Sequence, residues 1–356
     1  CGGGGHHGRM DEWEDDLLGS GYVQMSLPLT RDEEGPVVAT LVKYVPEFDQ
    51  DAREIPASPS FVVLAIHGWN DYFYHRELAR AISRAGGAFY AVDLRKYGRS
   101  LRDWQTFGFI TDLSDYGEEI GECFDVISAE HDSIPLVLYG HSTGGLIASL
   151  WADAHPEAID GLILNSPWLE LQASTAIRQM GTPIIDLLAR HSPKTEFPLP
   201  ENDFYQRALT AAPPPGATQI PNVPKGTTDP FWTTGWEPDP RYRNGVGQPV
   251  RVAWLAAILK GQARVAEGLD IPCPILVLTS AASATPSAEW NEELRATDSV
   301  LDVEQIWKRV AHLGNHVTLA KLEGAIHDVV LSRESARIKA FAEIAHFIQA
   351  YVSTEY

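Results

Sequence analysis

Cysteine is scarce in this chain: Cys1, Cys123 and Cys273 are all it has. An odd, widely spaced set has neither metal-ligand spacing nor the pairing of a disulfide framework, which points to a reducing, cytoplasmic home and to no bound metal. Basic residues are outnumbered, 28 against 48 acidic ones, for a net charge of −20. Bulk electrostatics therefore work against nucleic acid and anionic membrane surfaces as partners. No apolar run approaches the roughly 18 residues of a membrane span, and no stretch near the start resembles a secretory signal, so no integral membrane segment is expected. What remains is ordinary for a globular protein: 356 residues, 44% hydrophobic and 21% charged, suited to one large domain with an insertion or to two domains.

The opening Cys1-Gly2-Gly3-Gly4-Gly5-His6-His7-Gly8-Arg9 is low in complexity and reads as a cloning remnant, with Met10 as the natural start. The rival is a lipid-bearing Cys1, which an intact-mass measurement would reveal. Beyond it, β-rich runs at Tyr22 to Leu29, Val37 to Val45, Phe61 to His67 and Ala88 to Leu94 are separated by turn signals. Helices are expected at Glu77 to Ala85, Leu113 to His131 and Gly145 to Ala154, with strands at Pro135 to Tyr139 and Gly161 to Leu164. Two later strands, Pro274 to Thr279 and His316 to Leu322, precede a closing helix from Arg333 to Ala350 with the apolar face Ile338, Phe341, Ala345 and Ile348. Such alternation implies a mostly parallel sheet flanked by helices, with right-handed crossovers.

Residues 167–247 break this rhythm. A helix-like run places Ile177, Met180, Ile184 and Leu187 on one face. The segment then turns rich in proline, glycine and tryptophan, without a strand pattern, through Pro213-Pro214-Pro215 and Phe231-Trp232-Thr233-Thr234-Gly235-Trp236. The reading is an inserted cap over the carboxyl edge of the sheet, between core segments 10–166 and 248–356. Trp232 and Trp236 are the candidate substrate-binding aromatics, with packing inside the cap as their competing role.

Gly140-His141-Ser142-Thr143-Gly144 matches G-x-S-x-G, and it follows the apolar strand Pro135 to Tyr139 and precedes a helix. The glycines permit a sharp turn that lifts Ser142 above the sheet, and the helix start aims N–H groups at a developing negative charge. An incidental serine in a glycine-rich connection is the bland alternative, disfavoured by this context. A serine hydroxyl needs a base. Among twelve histidines, His327 in Gly324-Ala325-Ile326-His327-Asp328 lies past the last strand, in the order Ser, acid, His. His141 is expected to point to the opposite side of the turn, and His67 to be structural. The acid is less direct, because Ser280-Ala281-Ala282-Ser283-Ala284 offers no carboxylate. Asp298 and Asp302 follow; Asp302 with Gln305 resembles a capping box, which leaves Asp298 preferred and Glu170 as the remoter alternative. The N–H groups of Thr143 and of Trp69, after the tight turn at Gly68, are the expected oxyanion donors.

With these residues in view, the chain resembles the monoacylglycerol lipase and lysophospholipase-like branch of the α/β hydrolases, also described as serine-aminopeptidase-like. The resemblance rests on His67-Gly68, Asp93-Leu94-Arg95-Lys96-Tyr97-Gly98-Arg99-Ser100, Gly140 to Gly145, Asn165-Ser166-Pro167 and Gly324 to Asp328. It implies an α/β-hydrolase fold with a cap, hydrolysis of carboxylic esters through an acyl-enzyme, and no metal or organic cofactor. Asp298-Ser299-Val300 fits the Asp-x-Val pattern seen there, although an added loop precedes it. The expected partner is a small-molecule ester with an apolar moiety. Two alternatives stand beside it: an aminopeptidase-like amide hydrolase, with Glu196, Glu201 or Asp203 holding the substrate ammonium, and a non-catalytic small-molecule-binding homologue.

Overall fold

All six residues of Phe61–Ile66 are buried, as an apolar run without alternation requires when both faces of a strand are covered. The computed structural model describes residues 13–171, 175–198, 203–245, 247–284 and 289–353, with the side chains of 175–181 set aside. Cys1, Met10 and Glu201 lie outside the described residues, as do the side chains of Ile177 and Met180.

The strands are β1 (Glu14–Asp15), β2 (Tyr22–Asp32), β3 (Gly35–Tyr44), β4 (Phe61–Ile66), β5 (Gly87–Asp93), β6 (Leu136–His141), β7 (Gly161–Asn165), β8 (Glu196–Phe197), β9 (Val250–Arg251), β10 (Ile275–Ser280) and β11 (Val317–Leu322). Nine of them form one sheet in the order β1-β2-β3-β5-β4-β6-β7-β10-β11. From β5 to β11 every neighbouring pair is parallel, and β1, β2 and β3 add an antiparallel edge. The helices are α1 (Arg76–Arg84), α2 (Tyr116–Glu130), α3 (Thr143–Ala154), α4 (Thr175–His191), α5 (Phe204–Leu209), α6 (Val252–Glu267), α7 (Val303–Val310) and α8 (Glu334–Tyr351). Two apolar layers result. One packs Leu64, Leu138 and Leu164 against α2, α3 and α6; the other packs Val63, Val137 and Ile163 against α1 and α8. This is the α/β-hydrolase fold. Each fully buried aliphatic side chain contributes about 1.5–3 kcal/mol relative to its exposed state, so these layers dominate cohesion.

Three expectations about faces and elements need correction. On α8, Ile338 is 59% exposed and Phe341 and Ala345 are half-buried; of the expected face Ile348 is buried, and the buried stripe continues through Ala336, Ala340, Ile344 and Phe347. The helix rests on the sheet through its small residues as well as its large ones. On α4, Ile184 and Leu187 are 61% and 58% exposed, while Ile185 is buried. The segment expected to lack strands contains β8, which pairs antiparallel with β9 and ties the excursion to the start of α6. A two-residue strand carries no alternation that could be read in advance. The helix α6, not anticipated from the sequence, packs against both α3 and α4. Between β7 and β10 the described residues add no strand to the main sheet. Among the described residues no helix is long and apolar enough to cross a membrane.

Candidate active site

The turn from β6 to α3 is built by close backbone approach. A Cβ on Gly140 would lie 2.5 Å from the Gly144 carbonyl oxygen, and one on Gly144 would lie 2.3 Å from that of His67. Neither position has room for a side chain. Ser142, between them, adopts φ 54° and ψ −116°, a strained conformation held by its surroundings. Its N–H donates to the Asn165 carbonyl at 3.0 Å, and its own carbonyl accepts from Gly145, Leu146 and Trp168. The turn is thus pinned to the end of β7. Ser142 is 9% exposed and sits at the N-terminus of α3.

His327 arrives from the far edge of the sheet, in the loop after β11. That loop is held by the Ser280 hydroxyl, which donates to the Ala325 carbonyl at 2.8 Å, and by the Ser332 hydroxyl, which accepts from the Ile326 N–H at 2.9 Å. His327 Nε2 lies 3.0 Å from Ser142 Oγ, and Nδ1 lies 2.8 Å from Asp298 Oδ2. The other oxygen of Asp298 accepts from the N–H groups of Val300 and Leu301, at 2.8 and 2.7 Å. Asp298 is therefore buried, fixed and directed at one imidazole nitrogen. The displaced position of this carboxylate in the chain has a simple geometric resolution. Asp298 N–H donates to the Ala282 carbonyl, and Ala284 N–H donates to the Asp298 carbonyl, so a bridge between Ser283 and Asp298 closes the added loop. Asp298 stands in space where a residue just past the end of β10 would stand.

The competing carboxylates have other partners. Asp302 accepts from the Glu304 N–H and from Gln305 Nε2, at 3.0 and 3.3 Å, as the N-cap of α7. Glu170 pairs with Arg309. Of the carboxylates considered for an ammonium, Glu196 pairs with Arg251 at 2.9 Å and Asp203 with Arg207 at 2.7 Å.

On the other side of the serine, Gly68 begins the loop after β4. A Cβ there would fall 3.0 Å from Ser142 Cβ, which brings this loop against the serine turn. The N–H groups of Trp69 and Thr143 donate to no acceptor among the described residues. The Trp69 ring lies 4.0 Å from that of Trp254, on α6, and makes edge contacts with Phe107 and Tyr97. Trp168, whose N–H bonds the Ser142 carbonyl, stands 6.1 Å from Trp254. This aromatic set was not anticipated beyond Trp69; Trp168 directly follows the Asn165-Ser166-Pro167 exit of β7, the one available signal. Trp232 and Trp236, expected to bind substrate, are not brought to the serine. Trp236 Nε1 donates to the Leu331 carbonyl at 2.6 Å and its ring lies under Arg337, while Trp232 lies under Arg333. Both fasten the excursion to the loop and helix after His327, through ring packing and cation–π contacts with the arginines.

A second polar cluster lies behind His327. His75 Nε2 donates to Asp328 Oδ2 at 2.9 Å, and Asn165 Nδ2 donates to Asp328 Oδ1 at 2.7 Å. Burial alone would raise the Asp328 carboxyl, but His141, His75 and Asn165 hold it well below the usual range. Burial opposes the charge on His75, and Asp328 overrides it, so that its pKa is raised. His141 is not turned away from the catalytic side as expected. Its ring packs 4.9 Å from that of His327, with Nδ1 3.1 Å from the Asn165 carbonyl oxygen, and burial depresses its pKa to about 4. Lying at the end of β6, one residue before the bend, it follows the strand's alternation and not the turn. His67 is held by the Gly68 carbonyl and the Leu94 N–H, and burial lowers its pKa too. His75 and Asp328 were missed because no spacing relates them in the chain.

The family model described as serine aminopeptidase, S33, matches residues 57–334. A monoacylglycerol lipase of Mycolicibacterium smegmatis is 29% identical over 111 residues, which is 31% of this chain and 38% of the relative. Phospholipase YtpA of Bacillus subtilis is 32% identical over 116 residues, 32% of this chain and 43% of the relative. The aligned stretch thus spans about two fifths of either relative. A thermostable carboxyl esterase from Bacillus coagulans, solved in complex with glycerol, superposes with a TM-score of 0.59 at 16% identity, covering 92% of this chain and 99% of that one. This last likeness speaks for the fold.

Proposed function

The chain belongs to the serine aminopeptidase S33 family of α/β hydrolases, and from that premise we propose that it is a serine hydrolase cleaving carboxylic esters that carry an apolar group. The observation that carries the proposal is the continuous chain of contacts from Ser142 Oγ to His327 Nε2 at 3.0 Å and from His327 Nδ1 to Asp298 Oδ2 at 2.8 Å. Ser142 attacks the ester carbonyl carbon while His327 Nε2 takes its proton. Asp298 orients the imidazole and stabilises the charge it acquires. The carbonyl oxygen becomes an oxyanion held by the N–H groups of Trp69 and Thr143. Collapse of this intermediate expels the alcohol, protonated by His327, and leaves an acyl group on Ser142. Water, deprotonated by the same histidine, then attacks the acyl carbon and releases the acid.

Preference for an ester with an apolar moiety rests on Trp69 and Trp168, next to the serine turn, with Trp254 packed behind them. Segment 167–247 serves as a cap in this reading, with Trp232 and Trp236 as its fastening. The printed names of the two partial relatives, a monoacylglycerol lipase and a phospholipase, support a lipid-like ester. The family's name keeps amide cleavage as a second reading. Against it, Glu196 and Asp203 are already paired with arginines and offer little to a substrate ammonium. The test is a comparison of rates on acyl p-nitrophenyl esters of graded chain length and on amino-acyl p-nitroanilides. Esters are expected to be turned over and Ser142→Ala to abolish turnover; faster cleavage of the anilides, or undiminished activity in Ser142→Ala, would overturn the proposal.

A further inference from the structure

Three successive residues of the loop after β4 are tied to one short piece of the inserted segment. Asn70 Nδ2 donates to the Asn244 carbonyl at 2.6 Å, and Asn70 Oδ1 accepts from the Asn244 N–H at 3.2 Å. Arg243 Nε lies 3.5 Å from Asp71 Oδ1, with both side chains nearly inaccessible. The Tyr72 hydroxyl accepts from the Asp239 N–H at 2.7 Å, and the Tyr72 and Tyr242 rings are 5.3 Å apart. Asn70 has φ +59°, a conformation that asparagine tolerates better than most residues. Its side chain thereby imitates a backbone strand, satisfying both the N–H and the C=O of Asn244.

The opposite side of the same loop touches the serine turn through Gly68. Trp69, whose N–H has no acceptor among the described residues, lies between these two anchors. Its ring is braced by Trp254, Phe107 and Tyr97; its N–H belongs to the Gly68–Trp69 peptide, whose carbonyl is bonded to His67 Nδ1 at 2.8 Å on the upstream side, and Asn70 is the next residue downstream. His67 fixes this peptide from one side, and the freedom of Gly68 leaves the other side to be held through Trp69 and Asn70. A donor to an oxyanion must stand about 2.7–3.1 Å from the oxygen, and a misplacement of about 1 Å costs on the order of 100-fold in rate.

We propose that Asn70 is a positioning residue: by clasping the backbone of Asn244 it fixes the N–H of Trp69 in the oxyanion hole, so that the hole is formed only when segment 239–244 is seated. The inference rests on the serine-hydrolase reading above. It makes the inserted segment part of the catalytic geometry as well as a cover for it. Arg243 and Tyr72 share the load but lie further from the peptide in question.

Two variants test this. Asn70→Gly keeps the backbone conformation and removes both bonds; Asn70→Asp keeps the acceptor and removes the donor. Expected for both, with circular dichroism spectra unchanged, is a fall in kcat of about 10- to 100-fold with KM within about twofold. The inhibition constant of an acyl trifluoromethyl ketone, whose adduct carries an oxyanion, rises by the same factor as kcat/KM falls. An Asn70→Gly enzyme that folds and has wild-type kcat, or one altered in KM alone, overturns the inference, and Asn70→Asp decides the matter if glycine prevents folding. Failure of the underlying reading has a different signature: a wild-type enzyme whose hydrolysis survives Ser142→Ala.

Discussion

Asp298 and Asp302 are four residues apart in sequence and differ completely in employment. Asp298 gives one oxygen to His327 and the other to two backbone N–H groups, whereas Asp302 caps α7. The two roles separate under mutation. Asp298→Asn leaves the imidazole with the wrong tautomer, because an amide nitrogen donates where the carboxylate accepted; kcat should fall by about 1,000- to 10,000-fold with little change in the unfolding midpoint. Asp302→Ala should leave kcat unchanged and lower stability by about 1 kcal/mol. Steady-state kinetics and urea unfolding on both variants check the pair, and a reversal of the two patterns would reassign the acid. The strained Ser142 belongs to the same scale. Its conformation is maintained by Gly140 and Gly144, where no Cβ fits, and by bonds to β7, so the cost is borne by the surrounding turn.

At the level of elements, what was legible in the sequence was whatever repeats or abuts. The β4 run, the turn between β6 and α3, and the position of His327 after β11 follow from apolar runs and local glycine patterns, which depend on neighbours in the chain. Asp298 was reachable by elimination, through the capping pattern at Asp302, but the bridge between Ser283 and Asp298 that delivers it was not, since it joins residues across a loop. The same reason hid His75 and Asp328, which come from the start of α1 and the loop after β11. On α8 the apolar periodicity was present and its phase misread: Ile338 faces water because Ala336 and Ala340 allow the helix to approach the sheet. In α6, Val252, Leu255, Ile258 and Val265 do share a buried side at helical spacing, obscured by alanines that make the whole stretch look apolar. Composition marks Trp232 and Trp236 as notable, but only the fold brings Trp69 and Trp168 to the serine turn, with Trp254 packed against them.

For the molecule as a whole, the buried imidazoles make stability depend on pH in a definite sense. His141 is depressed to about 4 from an ordinary value of 6.5, so below about pH 6.5 the unfolded chain takes up a proton that the folded one resists, and stability falls as pH drops toward 4. His75 is raised, and its contribution is present at low pH and lost as pH rises through its folded value. His67, also lowered by burial, adds to the same acid limb as His141, and His75 does not. In His141→Asn, whose amide can still donate to the Asn165 carbonyl, the loss of stability between pH 7 and pH 4.5 should shrink by about 2 kcal/mol, read from urea unfolding at the two pH values. An unchanged loss would place acid sensitivity elsewhere.

The proposed chemistry requires one property, an activated hydroxyl on Ser142. The most direct measurement is reaction of the purified protein with a fluorophosphonate, followed by intact mass and peptide mapping. A binding protein that merely keeps the fold would not react readily, because only a serine paired with a base does. One adduct per chain is expected, on the peptide containing Ser142, absent in Ser142→Ala and strongly slowed in His327→Ala. No adduct on the wild-type protein, or an adduct that persists in Ser142→Ala, would contradict it.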